Sequence, residues 1–179
     1  MPDLVIDLAA IPAGGYRLAI AVPATAFSLE SPDVHLSDPV DLQASLQLVG
    51  TTVAVRGTIT TTVEVPCARC VESAAILLSI PLEVVAVPTD EMPEDEDHEL
   101  AGSELDLCYY TGEVLDLGTI VRDHLVSAIP FQPLCQPTCR GLCPSCGTNL
   151  NREACTCSTE EVDERLAVLK QWQERDSRT

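Results

Sequence analysis

Eight of the nine cysteines fall into four close pairs: Cys67 and Cys70, Cys135 and Cys139, Cys143 and Cys146, and Cys155 and Cys157. Thiols at this spacing are metal ligands before they are anything else. Zinc takes four thiolates in a tetrahedron, and ligands close together in sequence reach one ion at little loop-closure cost. The segment Cys143-Pro144-Ser145-Cys146-Gly147 reads as a zinc knuckle. Its tight turn aims backbone N–H groups at the first sulfur, and its trailing glycine accepts positive φ. Four pairs can make one or two Zn2+ sites. The preferred partition joins Cys143 and Cys146 to Cys155 and Cys157 across eight intervening residues, and Cys67 and Cys70 to Cys135 and Cys139. The alternative places Cys135, Cys139, Cys143 and Cys146 on one ion. That crowds Cys139 and Cys143, which have only Arg140, Gly141 and Leu142 between them. An all-thiolate site has no open position for water, so the zinc is expected to be structural.

Other chemistry finds less support in the residues. A thioredoxin-like dithiol at Cys67 and Cys70 would open a helix within a βαβ unit. Here the motif follows a Thr-rich strand and Pro66. Cys108 stands among Leu105, Leu107, Tyr109 and Tyr110 and reads as a core thiol. His35, His98 and His124 share no motif, and there is no phosphate loop or nucleophile elbow, so no enzyme activity is expected. Tyr109 and Tyr110 are adjacent. They face opposite ways in a strand and make no stacking platform for RNA.

The elements that must position these groups follow from periodicity. Leu4, Ile6 and Leu8 alternate, as do Tyr16, Leu18, Ile20 and Val22, and then Val40 through Leu48. Val53, Val55, Ile59, Val63 and Val65 belong to a Thr-rich stretch. Period two with β-branched residues means half-buried strands, and Gly50-Thr51 reads as a hairpin turn. Residues 23–39, with three prolines, read as a loop. Ala74 to Val87 reads as one or two further strands, broken or bent at Pro81, and Leu105 to Tyr110 as another. A helix is expected over about 117–129, with Asp116 as N-cap and Leu117, Ile120, Val121, Leu125, Ala128 and Ile129 on one face, ended by Pro130. A last amphipathic helix begins near Asp163. The expected class is α+β. It has an antiparallel, partly barrel-like sheet with one packed helix, then a Cys-rich zinc module with a terminal helix. Domain bounds are 1–133, containing an acidic loop at 88–104, and 134–179.

Charge restricts the partners. The 179 residues carry a formal −18, and residues 90–106 supply half of it with nine acids and no base. Such a chain is poorly suited to binding nucleic acid through a basic surface or docking on an anionic membrane. Residues 135–179 are the exception, with seven acids and six bases. There Arg140, Arg152, Arg165, Lys170, Arg175 and Arg178 offer a small basic patch for nucleic-acid contact, or surface charge interleaved with Glu160, Glu161 and Glu164. MPDLVIDLAA has no basic n-region, and the longest stretch free of Asp, Glu, Lys and Arg, His124 to Cys139, is broken by three prolines. A soluble, cytoplasmic protein without a signal peptide is expected.

The stretch PLCQPTCRGLCPSCGTNLNREACTC, followed by DERLAVLKQW, resembles the YceD family, as does Cys67-Ala-Arg-Cys70-Val-Glu at the end of a β-rich half. The family typically reads Asp-Pro-Arg where this chain has Asp163-Glu164-Arg165. The resemblance implies a non-enzymatic role in ribosome biogenesis, in support of large-subunit rRNA accumulation. An acidic chain suits a basic ribosomal protein, or the pre-ribosomal particle carrying one, as partner.

Overall fold

The structure, a computed structural model, describes residues 4–29, 31–91 and 107–157. The acidic stretch from residue 92, with His98, and the expected terminal helix from Asp163, with Arg165, Lys170, Arg175 and Arg178, lie outside them. Two compact units are distinguished. One comprises Met1–Ala68 and Glu72–Cys135, the other Arg69–Val71 and Gln136–Thr179.

The first unit is built on a sheet of strand order β2-β4-β5-β6-β7, with β3 also on β5. Its strands are β2 (Tyr16–Val22), β3 (His35–Leu36), β4 (Val40–Val49), β5 (Thr52–Pro66), β6 (Ser73–Pro88) and β7 (Leu107–Tyr110). A short ladder pairs β1 (Val5–Asp7) with β8 (Val114–Asp116). Every pairing is antiparallel except the last. β7 lies parallel to β6, with Val85 opposite Leu107 and Pro88 opposite Tyr110. The expected all-antiparallel sheet is therefore mixed. No ladder among the described residues joins β2 to β7, so the sheet is open where a partly barrel-like form was expected. The stretch read as a loop also contains the two-residue β3 and a single 3-10 turn at Ala24–Ala26.

One turn sets the register. Val49 pairs with Thr52 across Gly50 and Thr51, and only Gly50 has positive φ, the pattern of a type II′ hairpin. That hydrogen-bonded closing pair makes the even-numbered residues of β5 exchange backbone bonds with β4, and the odd-numbered ones with β6. Pro81 faces Thr58, an even position, so its missing N–H points away from β5. Among the described residues no other strand pairs with β6 at that point, the described pairing with β7 running from Val85 to Pro88. The proline thus costs no bond of the β5–β6 ladder, and β6 runs for 16 residues as one strand through Pro81 rather than as two. Close contact is also built in at Gly57, where a Cβ would lie 2.1 Å from the Gln43 carbonyl oxygen.

The period-two pattern puts one face of the sheet inside. Leu42, Leu46, Val53, Val55, Ile59 and Leu82 are almost fully buried there. The helix α1 (Leu117–Ala128) completes this core with Leu117, Ile120, Val121 and Leu125. Each such side chain contributes about 1.5–3 kcal/mol on burial. As expected, α1 is capped by Asp116. Its Oδ1 accepts from the N–H groups of Gly118 (2.8 Å) and Thr119 (3.3 Å). No helix among the described residues is long and apolar enough to cross a membrane.

Candidate metal centre

The end of β5 and the turn after it deliver the first cysteine pair. The Cys67 N–H donates to the Glu72 carbonyl at 2.8 Å, so the ladder continues one step past Pro66. The turn closed in this way holds Cys67 and Cys70 buried. Val71 follows with φ +61, the only residue other than glycine with positive φ among those described. It stands one residue past its cysteine pair, the place Gly147 takes after Cys146 with φ +75. Both knuckles demand a left-handed residue there, and only one of them uses glycine.

The second knuckle is the tip of a small hairpin. Leu142 and Asn149 form an antiparallel bridge. Within it, the Cys143 N–H donates to the Thr148 carbonyl at 2.8 Å, and the Gly147 N–H donates back to the Cys143 carbonyl at 2.9 Å. Gly141 precedes the hairpin with φ +76. A Cβ there would meet the Arg69 carbonyl oxygen at 3.1 Å, the same oxygen that accepts from the Leu142 N–H. Arg69 also donates from Nη1 to the Cys139 carbonyl at 2.8 Å.

The eight paired cysteines come together in two groups of four. Cys67, Cys70, Cys135 and Cys139 form one, and Cys143, Cys146, Cys155 and Cys157 the other, with the sulfurs of each group within 4.8 Å of one another. This is the partition that spacing favours, not the alternative of Cys135, Cys139, Cys143 and Cys146. No disulfide joins any of the nine cysteines. In the second group Cys155 Sγ lies 3.3 Å from Cys143 Sγ and 3.7 Å from Cys146 Sγ. A zinc–thiolate tetrahedron with bonds of about 2.3 Å has edges of about 3.8 Å, so the donor set fits a tetrahedral thiophilic ion.

Electrostatics in the second group point the same way. The Cys146 thiol is pulled down to about 6, chiefly by the Thr148 hydroxyl 3.2 Å away and then by the Thr148 N–H. Cys143 is lowered first by the Cys146 N–H, with the Cys155 thiol and the Ser145 N–H adding to it. These are the knuckle amides expected at the first sulfur. For Cys155, the Cys157 N–H (3.3 Å) pulls down, but the Cys143 sulfur, burial and the Cys146 sulfur together outweigh it and the net shift is upward. Cys157 is pushed up to about 12 by its bonds to Cys155 and Cys146 and by their charge. Four thiols this close cannot all ionise together near neutral pH unless a cation sits among them.

The remaining candidates are scattered. Cys108 is half-buried against the core, and its thiol is raised by that burial. Tyr110 is buried and donates from its hydroxyl to the Thr51 carbonyl at 2.6 Å, while Tyr109 points outward. His35 lies 3.3 Å from Glu64 on the surface, and His124 Nδ1 is 2.8 Å from the Ile120 carbonyl within α1. The side chains of Arg140 and Arg152 are exposed. Sequence reasoning missed Thr148, Asn149 and Asn151. The Asn151 Nδ2 donates to Cys139 Sγ at 3.3 Å. Their polar side chains crowd the knuckle within the segment Gly-Thr-Asn-Leu-Asn, a signal that was present but has no distinctive spacing.

Comparison with known proteins gives a consistent result. Residues 55–172 match a family model described as large ribosomal RNA subunit accumulation protein YceD. An uncharacterized protein of Mycobacterium tuberculosis is 31% identical over 131 residues, covering 73% of this chain and 60% of its own length. The large ribosomal RNA subunit accumulation protein YCED homolog 1, chloroplastic, of Zea mays is 29% identical over 138 residues, covering 64% of this chain and 46% of its own. Its Arabidopsis thaliana counterpart of the same name is 34% identical over 55 residues, 31% of this chain and 17% of that protein. The chain thus spans three-fifths or less of the length of each of these relatives. No solved structure matches it.

Proposed function

The chain belongs to the YceD family, and on that premise we propose that it is a non-enzymatic cytoplasmic factor supporting the accumulation of large-subunit ribosomal RNA. The observation that carries this reading is the family match over residues 55–172. In this reading the protein acts by binding a basic ribosomal protein or the large-subunit precursor. The acidic excess of the chain steers that encounter through charge complementarity.

Zinc occupies both cysteine groups in this reading and holds the backbone around them. Eight thiols in two sets of four, with sulfur separations suited to a tetrahedron, support that assignment. A site filled by four thiolates has no place for a reacting water, which supports a structural ion over a catalytic one. Grouping Cys67 and Cys70 with two further thiols weighs against the thiol-disulfide reading, because a redox dithiol needs an accessible sulfur and both are buried.

The test is depletion of the protein in its own cells, with large- and small-subunit rRNA quantified together. A fall in the large-to-small ratio, restored by the wild-type gene, is expected. An unchanged ratio rejects the reading. Metal analysis of protein purified without added zinc is expected to give about two ions per chain, and a value near one rejects the two-site assignment.

A further inference from the structure

Asn151 lies on the segment that runs from Cys146 to Cys155, two ligands of the second cysteine group, yet its side chain serves the first. Its Nδ2 donates to Cys139 Sγ at 3.3 Å and to Asn149 Oδ1 at 3.0 Å. Its Oδ1 accepts from the Arg140 backbone N–H at 2.8 Å and from Gln136 Nε2 at 3.4 Å. The backbone N–H settles which way the amide points. Arg140 N–H can only donate, so the atom facing it is the oxygen and the atom facing Cys139 is the NH2. The Asn151 backbone is held as well, its N–H donating to Asn149 Oδ1 at 3.0 Å, and Leu150 N–H donates to the Gly141 carbonyl at 2.9 Å.

We infer that Asn151 couples the two cysteine groups: the segment closed by the Cys143–Cys157 group presents an N–H donor to a ligand of the Cys67–Cys139 group, so metal held by one tightens metal held by the other. The inference rests on the zinc reading above. The physical basis is that a thiolate ligand carries charge the ion only partly neutralises, and a donor aimed at that sulfur stabilises the bound form over the protonated free thiol. Asn151 is therefore a positioning residue rather than a ligand. Its aim depends on a backbone whose two ends are pinned at Cys146 and Cys155. Release of the ion from the second group frees those ends and withdraws the donor from Cys139.

The experiment uses the full chain loaded with zinc. Thiols are alkylated while a chelator is raised, and modification is read cysteine by cysteine by mass spectrometry. Asn151→Asp keeps the oxygen that Arg140 and Gln136 bond and replaces the donor facing Cys139 with a second oxygen. In N151D, Cys67, Cys70, Cys135 and Cys139 are expected to lose protection at about 10- to 100-fold lower chelator, and because coupling is reciprocal Cys143, Cys146, Cys155 and Cys157 are expected to lose protection as well. Cys155→Ser, which opens the second group, is expected to weaken the first group similarly, and N151D added to it to cost little more. A further full loss from the first group when N151D is added to Cys155→Ser means general loosening and overturns the coupling. So does unchanged protection of the first group in either variant. Absence of chelator-dependent protection in the wild type overturns the zinc reading and the coupling together. Normal protection in the wild type with an unaffected N151D overturns the coupling alone.

Discussion

At the residue scale, Val71 stands out. A β-branched side chain at φ +61 sits where L-residues pay about 1–2 kcal/mol, and it is 69% exposed, so little packing offsets that cost. The turn is over-determined by the Cys67–Glu72 hydrogen bond before it and by the grouping of Cys67 and Cys70 with two other thiols. Val71→Gly gives this knuckle the residue the other already has in Gly147. Glycine loses more chain entropy on folding, by about 0.5–1 kcal/mol, so the expected net gain is up to about 1.5 kcal/mol. It would be read as a higher urea midpoint of the zinc-loaded protein at unchanged slope. A lower midpoint would mean that the Val71 side chain makes contacts outweighing its backbone strain. The sequence shows a valine after Cys70 and a glycine after Cys146, but not that both hold the same backbone conformation. Likewise, the cysteine partition could be read from loop lengths, whereas the Asn151 donor could not, because a hydrogen bond to sulfur has no required spacing along the chain.

At the element scale, what could be read was what depends on local pattern alone. Alternation marked β2, β4 and β5, and a capping acid before a 3.6-residue apolar stripe marked α1. Two features were left open or missed because each depended on a neighbour. Pro81 breaks a strand only if its missing N–H faces a partner, and whether it does was decided 30 residues upstream by the turn at Gly50 and Thr51. The parallel pairing of β7 is a long-range choice of partner and direction, which no periodicity encodes. The helix start is the element most open to a direct check. Asp116 ends β8 and satisfies two N–H groups of the first turn, and its Oδ2 also accepts from the Thr119 hydroxyl at 2.9 Å. Asp116→Ala leaves those donors to water at a place where Leu115 and Leu117 are buried, and it is expected to cost about 0.5–2 kcal/mol. Asp116→Asn, which keeps an acceptor at the same point, should recover most of that. Chemical denaturation of the three proteins measures the series, and equal loss in both variants would mean that charge, not capping, was the contribution.

At the scale of the whole molecule, charge and metal act together. If zinc fills both cysteine groups, as proposed, each adds −2, which takes the formal −18 to about −22 and makes the loaded protein more acidic than its sequence. A polyanion of that charge is repelled by naked rRNA at long range, and the repulsion grows as salt falls. The same charge accelerates encounter with a basic protein under the same conditions. The two modes of action therefore predict opposite responses in one measurement. If the chain recognises a basic ribosomal protein, recovery of that protein with the tagged chain should rise as salt is lowered and survive nuclease. If Arg140 and Arg152 instead contact rRNA directly, recovered material should disappear on nuclease treatment. Neutralising both arginines should then reduce the steepness of the salt dependence by about two phosphate contacts. The acidic total favours the first outcome. The near balance of seven acids and six bases over residues 135–179 is what makes the second worth measuring on the same samples. Recovery that is indifferent to both salt and nuclease would rule out charge as the basis of recognition and turn attention to apolar contact.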